Sequence, residues 1–374
     1  MIRQALRTWR PPPWLIRSLP GTSRCFGPPR HMCAGGQLRG GVRSLDLHVD
    51  ISLANPTHLN TVDNYWISPT WSPVPVAPYV LAAGHARLLA PGAWVVGDRD
   101  TFVWDTSFWG HRDLATARHW HDIFLRRKPR PVHQLAGRVL SLASDFAPYS
   151  YGHWLIDSLP RWLLVERAGL GPADFDTIYL PGPDTPSTRR LLTALGLPAE
   201  KLVRTPPEVD FEVENLTATS FPGAAGSASS LARAMAVRLQ PPRAPFRRLY
   251  LSRDGHRRNF RNHDELLPVF AEFGFEVCSP ATDPDIVAKC AEARVIVGIE
   301  GSQCFNALFA PSDGALVVIA PDGFRPLPYV QSIAAASGLS LYLLGARVVD
   351  ADSNCILPPK DLREGLRRVV DIHR

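Results

Sequence analysis

The chain has 374 residues, of which 45% are hydrophobic and 20% charged; this composition is typical of a globular protein and excludes a disordered or fibrous one. It is long enough for two domains with separate cores. The sequence contains no run of 18 apolar residues, so it predicts no membrane-spanning helix. The net charge of +6 is unevenly distributed, because residues 1–45 contain eight Arg and no Asp or Glu.

This N-terminal segment has no apolar periodicity and no apolar stretch typical of a secretory signal, so we expect a disordered basic tail over residues 1–45. A function in nucleic-acid binding would depend on this tail, since the remainder is close to neutral; we therefore expect no nucleic-acid partner. The tail is compatible with an anionic ligand or with peripheral contact to a membrane surface. The six Cys residues lack the spacing of metal ligands, so we expect them to be free thiols in a reducing compartment. The expected location is therefore the cytoplasm, including the inner face of the membrane.

Short apolar runs separated by turn residues predict a β-meander between about residues 60 and 135, with strands at 85–89, 93–96 and 101–104. From residue 138 the pattern changes to alternating strands and helices, which is typical of parallel α/β units. The expected strands are 139–143, 177–180 and 212–221, and the expected helices are 151–169, 187–195 and 227–239.

The Pro-rich segment 241–245 predicts a domain boundary, which gives domains over residues 46–240 and 246–374. The second domain repeats the alternation with clearer periodicity. Its expected strands are 248–252, 275–278, 294–298, 315–320 and 339–344, and its expected helices are 263–273, 283–293, 303–309, 328–336 and 360–370.

The predicted helix 151–169 carries His153, Asp157 and Arg161 four residues apart, so that a base, an acid and a cation form one stripe on a helix that is otherwise apolar. Pro160 should kink the helix just after Asp157. This combination favours the wall of a functional site; the alternative is an ordinary surface ion pair between Asp157 and Arg161, with His153 at the helix start.

Two loops of the second domain follow predicted strands, where open α/β sheets bind ligands. The first carries Arg253, Arg258 and Asn262, and its guanidinium groups suit a diphosphate; the alternative is a solvated basic loop. In the second, Gly301 allows close backbone approach, Ser302 is placed to cap the following helix, and Glu300 could accept hydrogen bonds from sugar hydroxyls; the alternative is a capped turn.

The sequence has no G-x-G-x-x-G, no Walker A loop, no G-x-S-x-G and no H-E-x-x-H motif. Three D-x-D triplets, at residues 98–100, 283–285 and 350–352, could in principle hold a divalent ion. Each is explained more simply as a helix cap or a turn, so we expect no metal and no cofactor.

Three segments together resemble glycosyltransferase family 61, whose members include capsular polysaccharide biosynthesis proteins. They are Tyr151-Gly-His-Trp-Leu-Ile-Asp-Ser-Leu-Pro-Arg161, the stretch from Leu251-Ser-Arg253 to Asn262, and the stretch from Val297-Gly-Ile-Glu-Gly-Ser302 to Phe309. The resemblance implies a GT-B architecture, in which two Rossmann-like domains face each other across a cleft; here the first would carry the β-rich elaboration. It also implies inverting transfer of a hexose or pentose from a nucleotide-sugar donor to a glycan acceptor, in capsule, exopolysaccharide or lipopolysaccharide assembly. Because the arginine side chains can neutralise the leaving group, we expect this transfer to be metal-independent.

By the same resemblance, His153 and Asp157 match the family's H-W-x-x-D motif, and we expect Asp157 to be the catalytic base with His153 as its partner or as an alternative base. Arg253, Arg258, Asn262, Glu300, Gly301, Ser302 and Gln303 would bind the donor. Two positions depart from the family pattern, since Glu300 stands where His is usual and His263 where Glu is usual. These departures motivate the alternative function, a non-catalytic protein that binds a nucleotide sugar or glycan.

Overall fold

The computed structural model describes residues 29–374 apart from 39, 61–74, 111–120, 126–129, 205–207, 225, 254, 256 and 324–327. The strands within these residues are β1 His31–Cys33, β2 Val42–Ser44, β3 Thr57–His58, β4 Tyr79–Leu89, β5 Trp94–Gly97, β6 Thr101–Val103, β7 Val132–Ser141, β8 Thr177–Tyr179, β9 Leu202–Val203, β10 Asp210–Thr219, β11 Arg247–Leu251, β12 Glu276–Cys278, β13 Ala293–Ile299, β14 Ala315–Pro321, β15 Ser340–Val348 and β16 Cys355–Ile356.

The α-helices of the described residues are α1 Asp122–Leu125, α2 Tyr151–His153, α3 Arg161–Arg167, α4 Pro186–Leu195, α5 Ser230–Leu239, α6 His263–Glu272, α7 Ile286–Cys290, α8 Tyr329–Ser337 and α9 Pro359–Ile372. A π-helical turn, Trp154–Ser158, connects α2 to the segment before α3, and an eight-residue 3-10 helix covers Ser302–Phe309.

The first sheet is mixed, with strand order β1-β6-β5-β4-β10-β7-β8-β9 and with β2 also paired to β4. Strand β10 joins its two halves, because it runs antiparallel to β4 of the meander and parallel to β7 of the α/β part. The second sheet has the order β12-β11-β13-β14-β15-β16, and all of these pairs are parallel except the last. The predicted α/β class is thereby confirmed.

The expected disordered tail is wrong for the described residues from 29 to 45, while residues 1–28 lie outside the described part. Strand β1 pairs with β6 and β2 pairs with β4. The partly buried side chains of Met32 and Val42 pack against two apolar clusters of the first sheet, and this tertiary contact compensates for the missing periodicity.

A short segment that precedes the predicted domain boundary in the sequence, residues 57–60, pairs with the second sheet. Strand β3 pairs with Tyr342 and Leu343 of β15, and the Asn60 side chain exchanges hydrogen bonds with the Gly345 backbone. Residues from the predicted first domain therefore contribute to the second sheet, and the domain limits at 46–240 and 246–374 stay predictions.

Helix α2 and the π-helical turn lie where the two sheets share one apolar core. Trp154 and Leu155 belong to the same buried cluster as Leu249 of β11 and Phe305 of the 3-10 helix. A Cβ atom on Gly152 would come within 2.6 Å of the Phe305 ring, so only Gly allows this approach. The start of the predicted site helix is thus held directly against the second sheet's own helix. In the part of the chain that the structure describes, no helix has the length and apolarity needed to cross a membrane.

Candidate active site

The segment from Tyr151 to Arg167 is a broken helix rather than the continuous helix that the sequence predicts. Pro160 has no backbone N–H, and the chain before it widens into a π-helical turn in which Leu159 N–H bonds to the Trp154 carbonyl at 3.1 Å. The predicted kink is therefore present, and it begins before the proline. Such π-helical turns are frequent at functional sites.

His153 and Asp157 form a hydrogen-bonded pair within this segment, with 2.7 Å between His153 Nδ1 and Asp157 Oδ2. Asp157 is buried, with 1% of its surface exposed, and burial raises the pKa of its carboxyl while the bond from His153 lowers it. When Nδ1 donates to a carboxylate, the proton of the neutral imidazole is on Nδ1 and the Nε2 lone pair is left to accept a proton. The structure therefore confirms that the two side chains meet and places the imidazole on the more exposed side.

The Nε2 side of His153 faces an aromatic environment formed by both parts of the molecule. Tyr329 Oη, from the start of α8, lies 3.4 Å from Nε2, and the rings of Phe108 and Phe146 contact the imidazole. Burial and the neighbouring Asp157 hold the pKa of the Tyr329 phenol well above its usual value, so it remains a neutral hydroxyl. The Tyr329 hydroxyl therefore occupies the position in front of Nε2, and the hydroxyl of a ligand would have to take its place there.

Arg161 is not part of a surface ion pair, and that alternative is wrong. Its guanidinium is 2% exposed and donates to three backbone carbonyls, those of Asp157 at 3.1 Å, Thr219 at 3.1 Å and Thr106 at 2.8 Å. Burial lowers the pKa of Arg161 to about 10, which leaves it charged at neutral pH. Because its donors are used by the backbone, Arg161 anchors the helix and does not face a ligand.

A cavity of about 560 Å³ lies between the start of α2 and the ends of the second sheet's strands. This volume is within the range of pockets that bind cofactors and nucleotides. Its lining is cationic and hydroxyl-rich, and includes Ser150, Tyr151, Thr185, Ser252, Arg253, Arg257, Arg258, Ser302 and Gln303. The strand-end position predicted for the two loops is confirmed, while His153 and Asp157 are not among the lining residues.

Arg253 is held at the cavity wall by two neighbours. Its Nη1 donates to Gln303 Oε1 at 2.6 Å and its Nε to the Arg257 carbonyl at 3.1 Å. Burial, and secondarily the nearby Arg258, lower the pKa of its guanidinium, which remains charged. Gly301 makes this position possible, since a Cβ atom there would lie 2.0 Å from Arg253 Nη1.

Arg258 and Glu300 form an ion pair, with 2.6 Å between Nη1 and Oε2. Glu300 is 4% exposed, and burial raises the pKa of its carboxyl against the effect of the two nearby arginines. Its carboxylate therefore pairs with Arg258, whereas the sequence predicted that it would accept hydrogen bonds from sugar hydroxyls. Ser302 was expected to cap the next helix, which is wrong: Gly301 occupies the N-cap position and Ser302 is the first helical residue.

Asn262 lies apart from this cavity. Its amide donates to the Leu357 carbonyl at 2.9 Å and its oxygen accepts from the Leu357 N–H at 3.4 Å, so the side chain fastens the segment that precedes α9. This contact spans 95 residues and gives no local signal in the sequence. The neighbouring His263 begins α6, and its ring packs near Tyr250.

The two halves of the site meet at polar contacts that sequence reasoning missed. Ser150 Oγ lies 3.3 Å from Ser302 Oγ, and Tyr151 Oη donates to Asn306 Oδ1 at 2.7 Å. Ser150 is the N-cap of α2, and a Ser just before a helix is a recognisable capping signal. Tyr329 carried no such signal, because it reaches His153 from 176 residues away.

Among the described residues, no three or more His, Cys, Asp or Glu side chains are grouped as they would be around a metal ion. Members of the three D-x-D triplets bind cationic side chains instead: Asp100 pairs with Arg87, Asp283 with Lys289, and Asp350 with Arg261. Independence from a metal stays a prediction that the experiments below test.

Residues 151–318 match the family model described as Glycosyltransferase 61. The matched region contains the His153–Asp157 pair, the arginine loop and the turn around Gly301, and it supports glycosyltransferase activity. The chain matches no protein in the search of curated relatives.

Proposed function

We propose that this chain, whose residues 151–318 resemble glycosyltransferase family 61, is an inverting glycosyltransferase that uses a nucleotide-sugar donor. One observation carries the proposal: a cationic cavity at the strand ends of the second sheet is joined to a buried His–Asp pair through the Ser150–Ser302 contact. The cavity suits the donor's diphosphate, and the pair suits removal of a proton from the acceptor.

On the donor side, Arg253, Arg257 and Arg258 provide guanidinium groups whose paired N–H donors match phosphate oxygens. Gln303 fixes Arg253, which reduces the ordering cost when the ligand binds. Glu300 balances the charge of Arg258, whereas Arg253 and Arg257 have no acidic partner among the hydrogen bonds and ion pairs described. Positive charge at this position stabilises the nucleoside diphosphate as it leaves.

On the acceptor side, the geometry supports His153 as the base and Asp157 as the positioning residue, which reverses the order expected from the sequence. Asp157 is buried behind the imidazole, and its Oδ2 is engaged by Nδ1. In the proposed step, His153 Nε2 takes the proton of the acceptor hydroxyl while the oxygen attacks the anomeric carbon. The new C–O bond forms as the bond to the diphosphate breaks, and the leaving diphosphate carries away the electron pair.

Two sheets with a ligand cavity between their helices are compatible with a GT-B arrangement, which we include in the proposal together with transfer of a hexose or pentose. The cationic lining supports metal-independent stabilisation of the leaving group. We further propose a glycan acceptor and a role in capsule, exopolysaccharide or lipopolysaccharide assembly, both of which rest on the family resemblance. We also propose a cytoplasmic location, including the inner face of the membrane, which rests on the free thiols and the basic N-terminal segment expected from the sequence.

The proposal is tested by incubating the full chain with a panel of nucleotide sugars and following release of the nucleoside diphosphate, with and without glycan acceptors. We expect at least one donor to raise the melting temperature and to be hydrolysed slowly, because mass action stabilises a protein only through a true ligand. Saturable donor binding without hydrolysis or transfer to any acceptor would favour the non-catalytic binder. Absence of binding across the panel would overturn both functions.

Metal independence is tested in the same assay with EDTA. We expect turnover to survive the chelator, since the arginines supply the charge that a divalent ion would otherwise provide. Loss of turnover that is restored by manganese would contradict this expectation and would return attention to the D-x-D triplets.

A further inference from the structure

A second cavity, of about 220 Å³, lies on the first-sheet side of the His153–Asp157 pair. Its walls include the aromatic rings of Trp94, Trp109 and Phe146 and the carboxyl groups of Asp122 and Asp145. The described residues that line it include no Lys or Arg. Its volume is below the range of about 300–1,000 Å³ that takes larger ligands, which suits a single sugar ring.

We propose that this cavity is the acceptor subsite and binds one neutral sugar ring of the acceptor glycan. The inference rests on the proposed function. Aromatic rings supply flat apolar surface for the C–H face of a pyranose, and carboxylates accept hydrogen bonds from its hydroxyls. The two acidic groups disfavour the anionic donor, because the described lining has no Lys or Arg and the nearest cation described, Arg161, lies close to Asp145 but has its donors taken by backbone carbonyls. The chemistry of this cavity is therefore complementary to that of the cationic one.

The position of Phe146 connects this cavity to the proposed base. Its ring is 40% exposed, lines the cavity and contacts the His153 imidazole, with 5.1 Å between the ring centroids. Phe108 packs edge-on against both Phe146 and Trp109, so the three rings form a continuous aromatic wall. A sugar stacked on Phe146 would thus lie against the ring that packs beside the His153 imidazole.

The rear of the cavity is held in place by two hydrogen bonds to the Asp145 carboxyl group. Trp94 Nε1 donates to Asp145 Oδ1 at 2.6 Å, and the Phe108 N–H donates to Oδ2 at 3.0 Å. A Cβ atom on Gly92 would come within 2.1 Å of Trp94 Nε1, so the absence of a side chain at Gly92 allows the indole to take this position. Each carboxylate oxygen retains a further lone pair for a ligand hydroxyl. The wall is therefore ordered before a sugar arrives.

The test uses the full chain and ligand-observed saturation-transfer NMR with methyl glycosides of glucose, galactose, mannose, xylose and N-acetylglucosamine. We expect saturable binding of at least one glycoside, weakened at least about tenfold by Phe146→Ala, because the stacking surface is lost. Asp122→Asn, at an exposed position, should weaken the same glycoside. Phe246→Ala, which removes a ring that is 67% exposed and lies outside this cavity, is the matched control and should change nothing.

The inference is overturned if no glycoside binds saturably, or if binding persists unchanged in both Phe146→Ala and Asp122→Asn. A peptide or aromatic ligand that binds where the glycosides do not would also contradict it. Titrating the same samples with a nucleoside diphosphate separates this test from that of the proposed function. Sugar binding without nucleotide binding would reject the transferase and keep the sugar site, and the reverse result would reject only the sugar site.

Discussion

The two regions that meet at the Ser150–Ser302 contact use buried charge in opposite ways. In the helix region, Arg161 is enclosed and its donors are used by three backbone carbonyls. In the loop region, Arg253 is also largely buried, but it is held by one side-chain oxygen and one carbonyl at the edge of a cavity. Burial of a cation therefore does not by itself indicate a binding site. What distinguishes the two arginines is that every guanidinium nitrogen of Arg161 donates to a backbone carbonyl, whereas the described hydrogen bonds of Arg253 use only Nε and Nη1.

The largest expected effect belongs to the helix region and concerns catalysis. His153→Ala should lower turnover by roughly 10²–10⁴, the usual contribution of a general base, because the imidazole proposed to accept the proton is removed. Donor affinity should stay within about twofold of the wild type, since the donor binds to the other region. Steady-state kinetics with a donor titration measures both quantities, and wild-type turnover in the variant would remove His153 from the mechanism.

The same region predicts the largest effect on stability. Arg161→Met should lower the free energy of unfolding by about 3–5 kcal/mol, because it leaves the partners of a buried ion without a donor. Urea unfolding followed by circular dichroism gives the value. An unchanged free energy of unfolding in Arg161→Met would show that Arg161 does not anchor the helix, and would contradict the comparison of the two arginines.

A third prediction concerns pH and the buried carboxyl of Asp145. Burial raises the pKa of Asp145 from 3.8 to about 6, so the native state binds this proton more tightly than the unfolded chain does. Its stabilising contribution is complete below about pH 4 and is lost as the pH rises through about 6, a change of about 3 kcal/mol. The asparagine of Asp145→Asn does not titrate. The free energy of unfolding of the wild type minus that of the variant should therefore decrease as the pH rises from 4 to 6.

Urea unfolding of both proteins at several pH values measures this difference, and the subtraction removes the contributions of other carboxyl groups. A difference that does not vary between pH 4 and 6 would show that Asp145 is ionised as readily in the folded protein as in the unfolded chain.

The sequence predicted those parts of the fold that depend on local chemistry. Helix α4 ends at Gly196, which adopts the left-handed conformation that such a C-terminal glycine favours. The parallel strands of the second sheet also follow from their apolar runs. Residues 29–45 and strand β3 were not predicted as strands, because their pairing partners lie far away in the chain.

The candidate site shows the same division. Arg253, Ser302 and Gln303 could be placed together from the rule that ligands bind at strand ends, and the cavity confirms that they meet. Asn262 could not be assigned correctly, since its role depends on Leu357. The aromatic cavity was also missed: Trp94 and Phe146 are 52 residues apart, and nothing in the sequence between them marks a shared wall.

The central claim is that the cationic cavity holds the diphosphate of a nucleotide donor, and calorimetric titration of wild type and Arg253→Ala tests it most directly. We expect a nucleoside diphosphate to bind the wild type, and Arg253→Ala to weaken it by about 1.5–3 kcal/mol, the contribution of a charge-assisted hydrogen bond. The same substitution should weaken binding of the free nucleoside by less. Arg138→Ala, which removes an exposed ion pair with Asp176, is the control and should leave both affinities unchanged. Equal losses for nucleoside and diphosphate, or no binding of the diphosphate to the wild type, would contradict the account.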